Sequence, residues 1–448
     1  MERAKAENSL MVVVFQKTEG VFPVQVTFYP AGGHPTHAGG DMLVAEELVH
    51  GLQQAEYEPR LYGELLGRAL FTGELMRLFV QARAQSQQRL RVLLELRDLS
   101  LYAFHWERLC APLDDDQHWE MLCLQQRTPY AVQLPSPVLR NVTPRKAWNE
   151  LRALVAIATP ENLREYDLDD FEAGEAAAFL GDALGGIEID WLGAVPAGGG
   201  PASLERLCAR LTERRYNLLH ILAHGALLEK IKDAVLYLES KDRQVETVSG
   251  SKLIGKLKEI GADNLPEFVF LTSCQSGKAN ATEQLAGLAQ RLVVEAGIPA
   301  VLAMTENISL QAAAAFTPPF YARLQAHGEL DRALVEARAG LEGGDLSVPV
   351  LYCRERGRLL FGEPAEALLQ QLPPQGVLPE ARDELPPGSH LPFPRNHAFT
   401  GRQPDLHEIA AALFYNAAGA APGADRRRGP RQDPIGSRVL LQVRALHP

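Results

Sequence analysis

Between Leu151 and Leu341 the sequence returns again and again to short, almost wholly apolar runs, each followed by a stretch of helical periodicity. The apolar runs are LRALVAIATP, Ile187–Leu192, NLLHILAHG, FVFLTSCQSG and IPAVLAM. The helical stretches are Glu172–Leu184, Ser203–Glu213, Gly250–Ile260, Ala286–Gly297, Ser309–Ala326 and Leu330–Leu341. A strand that is apolar on both sides must be covered on both faces, and helices of 10–15 residues between strands are what parallel crossovers require. The pattern therefore predicts an α/β fold: a mostly parallel sheet with helices on both faces. One run, AVLYLES, alternates only in part and fits a hairpin rather than a crossover strand.

The flanking sequence differs in character. Residues 1–145 mix strand-like runs (Met11–Phe15, Val24–Phe28, Leu90–Leu96) with a long helical stretch from Leu61 to Gln85, and read as an α+β region leading into the core at 146–365. HWERL looks like the start of a helix, with Trp106 as a packing aromatic and Glu107 as a surface acid. Residues 366–395, rich in Pro and Gly, read as a linker. Residues 396–448 open with a helix-like segment and then lose all periodicity.

Charge and cysteine usage narrow the function classes. Net charge is 45 − 56 = −11, which offers no basic face to nucleic acid. No apolar run approaches the roughly 18 residues that a membrane span needs. The N-terminal run Leu10–Phe15 has no small-residue cleavage site after it, so secretion is not expected. Five scattered cysteines without a CxxC indicate neither a disulfide framework nor a zinc site, and a reducing cytoplasm fits them best.

In an open parallel sheet, reactive groups gather beyond the carboxyl ends of the strands. Two such ends carry them here: NLLHILAHG runs into His224-Gly225, and FVFLTSCQSG runs into Ser273-Cys274-Gln275-Ser276-Gly277. A cysteine nucleophile needs a neighbouring base to form its thiolate, and histidine titrates in the right range. The amides of Gly225 and Cys274 are candidate donors to an oxyanion. The plain alternative for Cys274 is a small buried hydrophobe, the reading that suits Cys110, Cys123, Cys208 and Cys353. On the peptidase reading, the His224 ring and the Cys274 sulfur face each other across adjacent strand ends.

LLHILAHG, FLTSCQSG, the following GLAQRLVVEAGIPAVLAMTENIS and the closing SVPVLYCRERGRLLF together resemble the CHAT family, bacterial caspase-like cysteine peptidases related to caspases, separases and metacaspases. The resemblance covers roughly residues 60–365. The separation 274 − 224 = 50 is close to the roughly 50 residues by which histidine precedes cysteine in caspases. The resemblance implies a caspase-like core in which His224 is the general base and Cys274 the nucleophile. His220 matches a histidine that often precedes the catalytic one and is read as structural. Metacaspase-like relatives carry an acid two residues before the cysteine, which receives a basic substrate side chain; here that position is Thr272. Glu306, past the fifth strand, is a candidate for a negative substrate pocket, with a solvated surface acid as the alternative. The resemblance also implies a protein or peptide substrate, an activating partner or sensor module, a place in regulated proteolysis or defence, and no metal or organic cofactor. A catalytically silent interaction module on the same fold is the competing reading.

NHAFTGRQPDL resembles the opening of STAND-type P-loop NTPase modules, yet no G-x-x-x-x-G-K-[ST] loop follows it. In a shifted frame, however, the codon junctions Arg431–Gln432, Gln432–Asp433 and Asp433–Pro434 permit Gly-Lys-Thr, and Arg426–Arg427, Arg428–Gly429 and Gly429–Pro430 each permit Gly. The tail is therefore expected to be a truncated, frameshifted P-loop start, the alternative being a genuine low-complexity tail. With little to bury, Asn416–Pro448 cannot offset an ordering entropy of roughly 1–2 kcal/mol per residue, so it is expected to be disordered and to bind no ATP. Sequencing the gene across codons 414–448 should reveal a frame encoding Gly-Lys-Thr; its absence would return the tail to low complexity.

Overall fold

Strands that are apolar on both faces are stable only between two layers, and the chain builds such a sandwich from both its halves. The computed structural model describes residues 8–86, 89–113, 118–140, 146–196, 198–228, 233–272, 284–304, 310–338, 341, 347–354 and 360–361. These fall almost wholly in one compact unit, Met1–Asn141 with Trp148–Phe361. The expected linker and tail lie outside the described residues.

The first half contributes β1 (Asn8–Val14), β2 (Phe22–Tyr29), β3 (Thr36–Met42), α1 (Glu46–Gln54), α2 (Pro59–Leu70), α3 (Gly73–Gln85), β4 (Leu90–Leu96), β5 (Cys110–Pro112), β6 (Trp119–Met121) and β7 (Tyr130–Gln133). Next come β8 (Arg152–Ile157), α4 (Ala173–Ala183), β9 (Glu188–Gly193), α5 (Leu204–Glu213), β10 (Leu218–Leu222), β11 (His224–Leu228), β12 (Asp233–Glu239) and β13 (Val245–Ser249). The remainder is α6 (Gly250–Ile260), β14 (Phe268–Thr272), α7 (Gln284–Val294), β15 (Ala300–Met304), α8 (Leu310–His327), α9 (Leu330–Ala337) and β16 (Pro349–Cys353).

Eleven of these strands form one sheet in the order β3-β2-β1-β4-β7-β16-β15-β14-β10-β8-β9. Two parallel blocks, β9-β8-β10-β14-β15 and β16-β7-β4-β1, run in opposite directions because β15 and β16 pair antiparallel. The expected α/β fold, a mostly parallel sheet with helices on both faces, is thus what the chain adopts. Alternate residues along each strand feed two separate cores. Leu219, Ile221, Val269 and Leu271 face α5, α6 and α7, whereas Leu218, Leu222, Phe268 and Phe270 face α4, α8 and α9.

The fold corrects two expectations. The stretch Leu61–Gln85 is not one helix: Thr72 is extended and Gly73 has φ +50°, so the chain turns between α2 and α3 while Phe71 is buried. HWERL forms only a single 3-10 turn, and Glu107 is buried rather than on the surface, hydrogen-bonded at 2.7 Å to His105.

Buried arginines tie the sheet to its outer helix. Arg91 on β4 reaches Asp331, in the first turn of α9, at 2.6 Å and Glu329 at 2.8 Å. Arg338, just past α9, donates to the carbonyls of Cys123 and Pro349. Helix α2 approaches β5 so closely that a methyl group at Gly63 would overlap the Arg108 carbonyl, and one at Gly67 the Cys110 carbonyl. Overpacking of this kind costs about 1–3 kcal/mol. Gly63→Ala and Gly67→Ala should each lower the urea unfolding midpoint, and an unchanged midpoint in both would show that the contact gives way freely.

Candidate active site

Strand β10 is bonded on both flanks. Leu218–Leu222 pairs in parallel with Ala153–Ile157 of β8 and with Phe268–Thr272 of β14, residue for residue. The pairing continues to its last amides: Ala158 donates to the Leu222 carbonyl at 2.9 Å, and Ala223 to the Thr272 carbonyl at 3.1 Å. Beyond Ala223 the chain leaves the sheet. His224 does not sit in an exit loop, as the sequence suggested, but begins β11, which pairs antiparallel with β12. AVLYLES, as expected, belongs to a hairpin: β12 pairs in turn with β13, and the three strands form a small ribbon separate from the main sheet.

His224 is fully buried. Its Nε2 lies 2.8 Å from the backbone carbonyl of Asp169, which can only accept, so Nε2 carries the hydrogen and the lone pair of the neutral ring is on Nδ1. Phe171 meets the ring edge-on at 5.6 Å and 70°. Gly225 is buried and lies opposite Leu236 of β12. Cys274 and Glu306 lie outside the described residues. What the fold fixes is the strand before each of them: β14 ends at Thr272, in register with Leu222 at the tip of β10, and β15 ends at Met304 on the next parallel strand.

Thr272 and His220 are joined beneath this edge. The His220 Nε2 is 3.1 Å from the Thr272 hydroxyl, and its Nδ1 is 2.9 Å from the Tyr321 hydroxyl on α8. The ring packs 4.5 Å from Phe270, and burial pulls its pKa from 6.5 down to about 3. A neutral imidazole bridging two hydroxyls is a structural element, the role expected of His220 from sequence. Two histidines four residues apart thus have different surroundings: His220 points into the core, and His224 is held by a loop.

Residues 61–349 match the CHAT domain family, which is more than half of the chain. The chain belongs to the CHAT family. That family is related to the caspase-like cysteine peptidases, and its match spans every strand of the parallel block that carries the site. No curated protein matches the chain.

Within this CHAT domain Cys110, Cys123 and Cys208 are free thiols. Burial pushes Cys110 up to about 12 and Cys208 up to about 11, and raises Cys123 as well, so none of the three is poised as a nucleophile. Among the described residues, no group of three or more His, Cys, Asp or Glu side chains is arranged to hold a metal. No described helix is long and apolar enough to cross a membrane. Sequence reasoning missed Asp169 and Phe171. Asp169 holds His224 through its main chain, which leaves no mark on side-chain identity, and the aromatic Phe171 looks like any packing residue.

The buried neutral state of His220 has a measurable consequence. The unfolded chain takes up a proton on this residue near pH 6.5, but the fold refuses it until about pH 3. Between those values the unfolded state binds more protons, so stability falls as pH falls, by up to about 1.4 kcal/mol per pH unit from this residue. The unfolding midpoint should drop on acidification below pH 6.5, and His220→Gln should shallow that decline by one proton's worth. An identical slope in the variant would show that His220 is not held neutral.

Proposed function

We propose that this CHAT protein is a cysteine endopeptidase acting through His224 and Cys274. The observation that carries the proposal is the fixed Nε2–H of His224 at the tip of β10, beside the strand from which Cys274 follows by two residues. Peptide units span at most about 3.3–3.6 Å per residue, so Cys274 is tethered close to that tip. With Nε2 committed to the Asp169 carbonyl, Nδ1 is the atom that exchanges protons. It takes the thiol proton of Cys274, and the thiolate attacks a peptide carbonyl to form a carbon–sulfur bond. The carbonyl oxygen becomes an oxyanion, for which the amides of Gly225 and Cys274 are the candidate donors. Collapse breaks the carbon–nitrogen bond, and Nδ1 returns its proton to the leaving amine. Water, giving a proton to the same nitrogen, then attacks the thioester, releasing the acid and restoring the thiol.

The substrate is a protein or peptide. Thr272 is uncharged and its hydroxyl is engaged by His220, so it offers no acidic receptor for a basic side chain; Glu306 is the candidate for a negative pocket. Regulation by an activating partner or an attached sensor accords with the family, with NHAFTGRQPDL as the opening of an NTPase module. The thiols of Cys110, Cys123 and Cys208 accord with a reducing, cytoplasmic setting.

A peptidyl acyloxymethyl ketone should label Cys274, identified by peptide mapping. Cys274→Ala should abolish labelling and proteolysis with the fold intact, and His224→Ala should fall to a comparable level, since residues that act as a unit lose their effect together. Equal labelling in His224→Ala would contradict the mechanism. A folded wild-type protein that takes no label, even with its activator, would point instead to a silent interaction module.

A further inference from the structure

The carbonyl that orients His224 belongs to a loop, and that loop is fastened at several points to the ribbon on which His224 itself begins. Residues 158–172 leave the tip of β8 and return as far as α4. At the near end the Thr159 amide donates to Oε1 of Glu239 at 3.2 Å. Glu239 is the last residue of β12 and is fully buried. Its Oε2 accepts from the Ala202 amide at 2.8 Å, and its own amide donates back to the Ala202 carbonyl at 3.1 Å. One carboxylate therefore joins the ribbon to two loops that both emerge from the same sheet edge as the site. Among the described residues, the cation paired with it is Arg243, 3.9 Å from Oε2 and more than a third exposed, so the two amides are the closer partners of this charge.

The rest of the loop follows the same partner. Glu161 donates its amide to the Arg243 carbonyl at 2.8 Å, and the Asn162 side-chain oxygen accepts from the Val245 amide at 2.7 Å. Leu163 and Leu168 pack with Val235 and Tyr237 in a small core distinct from the two that flank the sheet. Tyr166 lies 5.9 Å from Tyr237, ring to ring. Tyr237 is the register partner of His224 across the ribbon. Asp169 follows Leu168 directly, and its carbonyl meets Nε2 of His224.

We propose that Glu239 is a positioning residue: its buried carboxylate locks the 158–172 loop to the ribbon and so fixes the tautomer and orientation of His224. Glu239 acts on His224 through Thr159 and the Asp169 carbonyl. A carboxylate is needed because both partners are amide donors. In Glu239→Gln one amide oxygen still accepts, while the side-chain NH2 faces an N–H it cannot satisfy, and a buried donor left unpaired is costly. The catalytic consequence rests on the peptidase reading above; the structural one does not.

The full chain, labelled with 15N in its histidine rings, tests both. His224 is assigned by comparison with His224→Ala. In the wild type its ring nitrogens should report a single Nε2–H tautomer. In Glu239→Gln they should move toward the average of both tautomers, and the inactivation rate of Cys274 by the ketone probe should fall at least tenfold with little change in probe binding. Misplacement of a catalytic group by about 1 Å can cost 10²-fold, so a loss of that order is expected from a loosened loop. A folded Glu239→Gln with unchanged His224 nitrogens and unchanged rate would overturn the proposal. Should that variant not fold, Asn162→Ala, which removes one half-buried bond of the same loop, should shift the His224 nitrogens in the same direction, and no shift there would overturn it. If the nitrogens shift but the wild type takes no label, the positioning role stands and the peptidase reading falls.

Discussion

Everything at this site depends on where the backbone pairing of β10 stops. The strand is bonded to β8 on one side and β14 on the other, and the last two ladder bonds are those of Ala158 to Leu222 and Ala223 to Thr272. A parallel strand buried on both faces cannot continue past its neighbours without leaving polar backbone groups unpaired, so the chain has to turn out at that edge. The next residue after the turn is His224, and the neighbouring strand β14 ends at Thr272, two residues before Cys274 in the sequence. The sheet itself sets His224 and the end of the strand that precedes Cys274 at one edge and on adjacent strands.

What the sheet does not supply is orientation, and the ribbon supplies that. Strands β11, β12 and β13 stand apart from the main sheet, yet they share a small core with the loop that carries Asp169. His224 is gripped from two directions, by its own strand pairing opposite Tyr237 and by the Asp169 carbonyl on Nε2. Together they hold the ring with its hydrogen on Nε2, which leaves the lone pair of the neutral imidazole on Nδ1. Beneath them, the Tyr321–His220–Thr272 bridge holds the strand tip to α8 and keeps its polar groups satisfied inside an otherwise apolar layer.

The sequence foretold this architecture unevenly, for physical reasons. Most elements between Leu151 and Leu341 were legible because long apolar runs and amphipathic helices alternate there, β11 and β13 excepted, and Gly250–Ile260 and Leu90–Leu96 have the bounds expected of them. Strand β3, THAGGDM, carries no apolar signal because it is an exposed edge strand. Strands β7 and β16 escape a reading by pattern: each is only four or five residues long, and their role is to bridge the two parallel blocks, which no local pattern reveals. From the sequence, His224 and Cys274 read as strand-end residues; His224 in fact begins β11, and Cys274 lies outside the described residues. Asp169, which acts through its carbonyl, and Glu239, an acid closing a partly alternating run, look ordinary until the fold brings their loops together.

If His224 and Cys274 form one ionising pair, the pH dependence of Cys274 alkylation must show it. An unpaired thiol titrates near pH 8.5, and a neighbouring imidazole draws the thiolate to lower pH. Iodoacetamide modification, followed at Cys274 by peptide mapping, should show a reactive plateau extending well below pH 8 in the wild type. In His224→Ala that plateau should be lost and the inflection should move up to the ordinary thiol range. A single inflection near pH 8.5 in both proteins would mean that the two residues do not act together, and the dyad mechanism would fail.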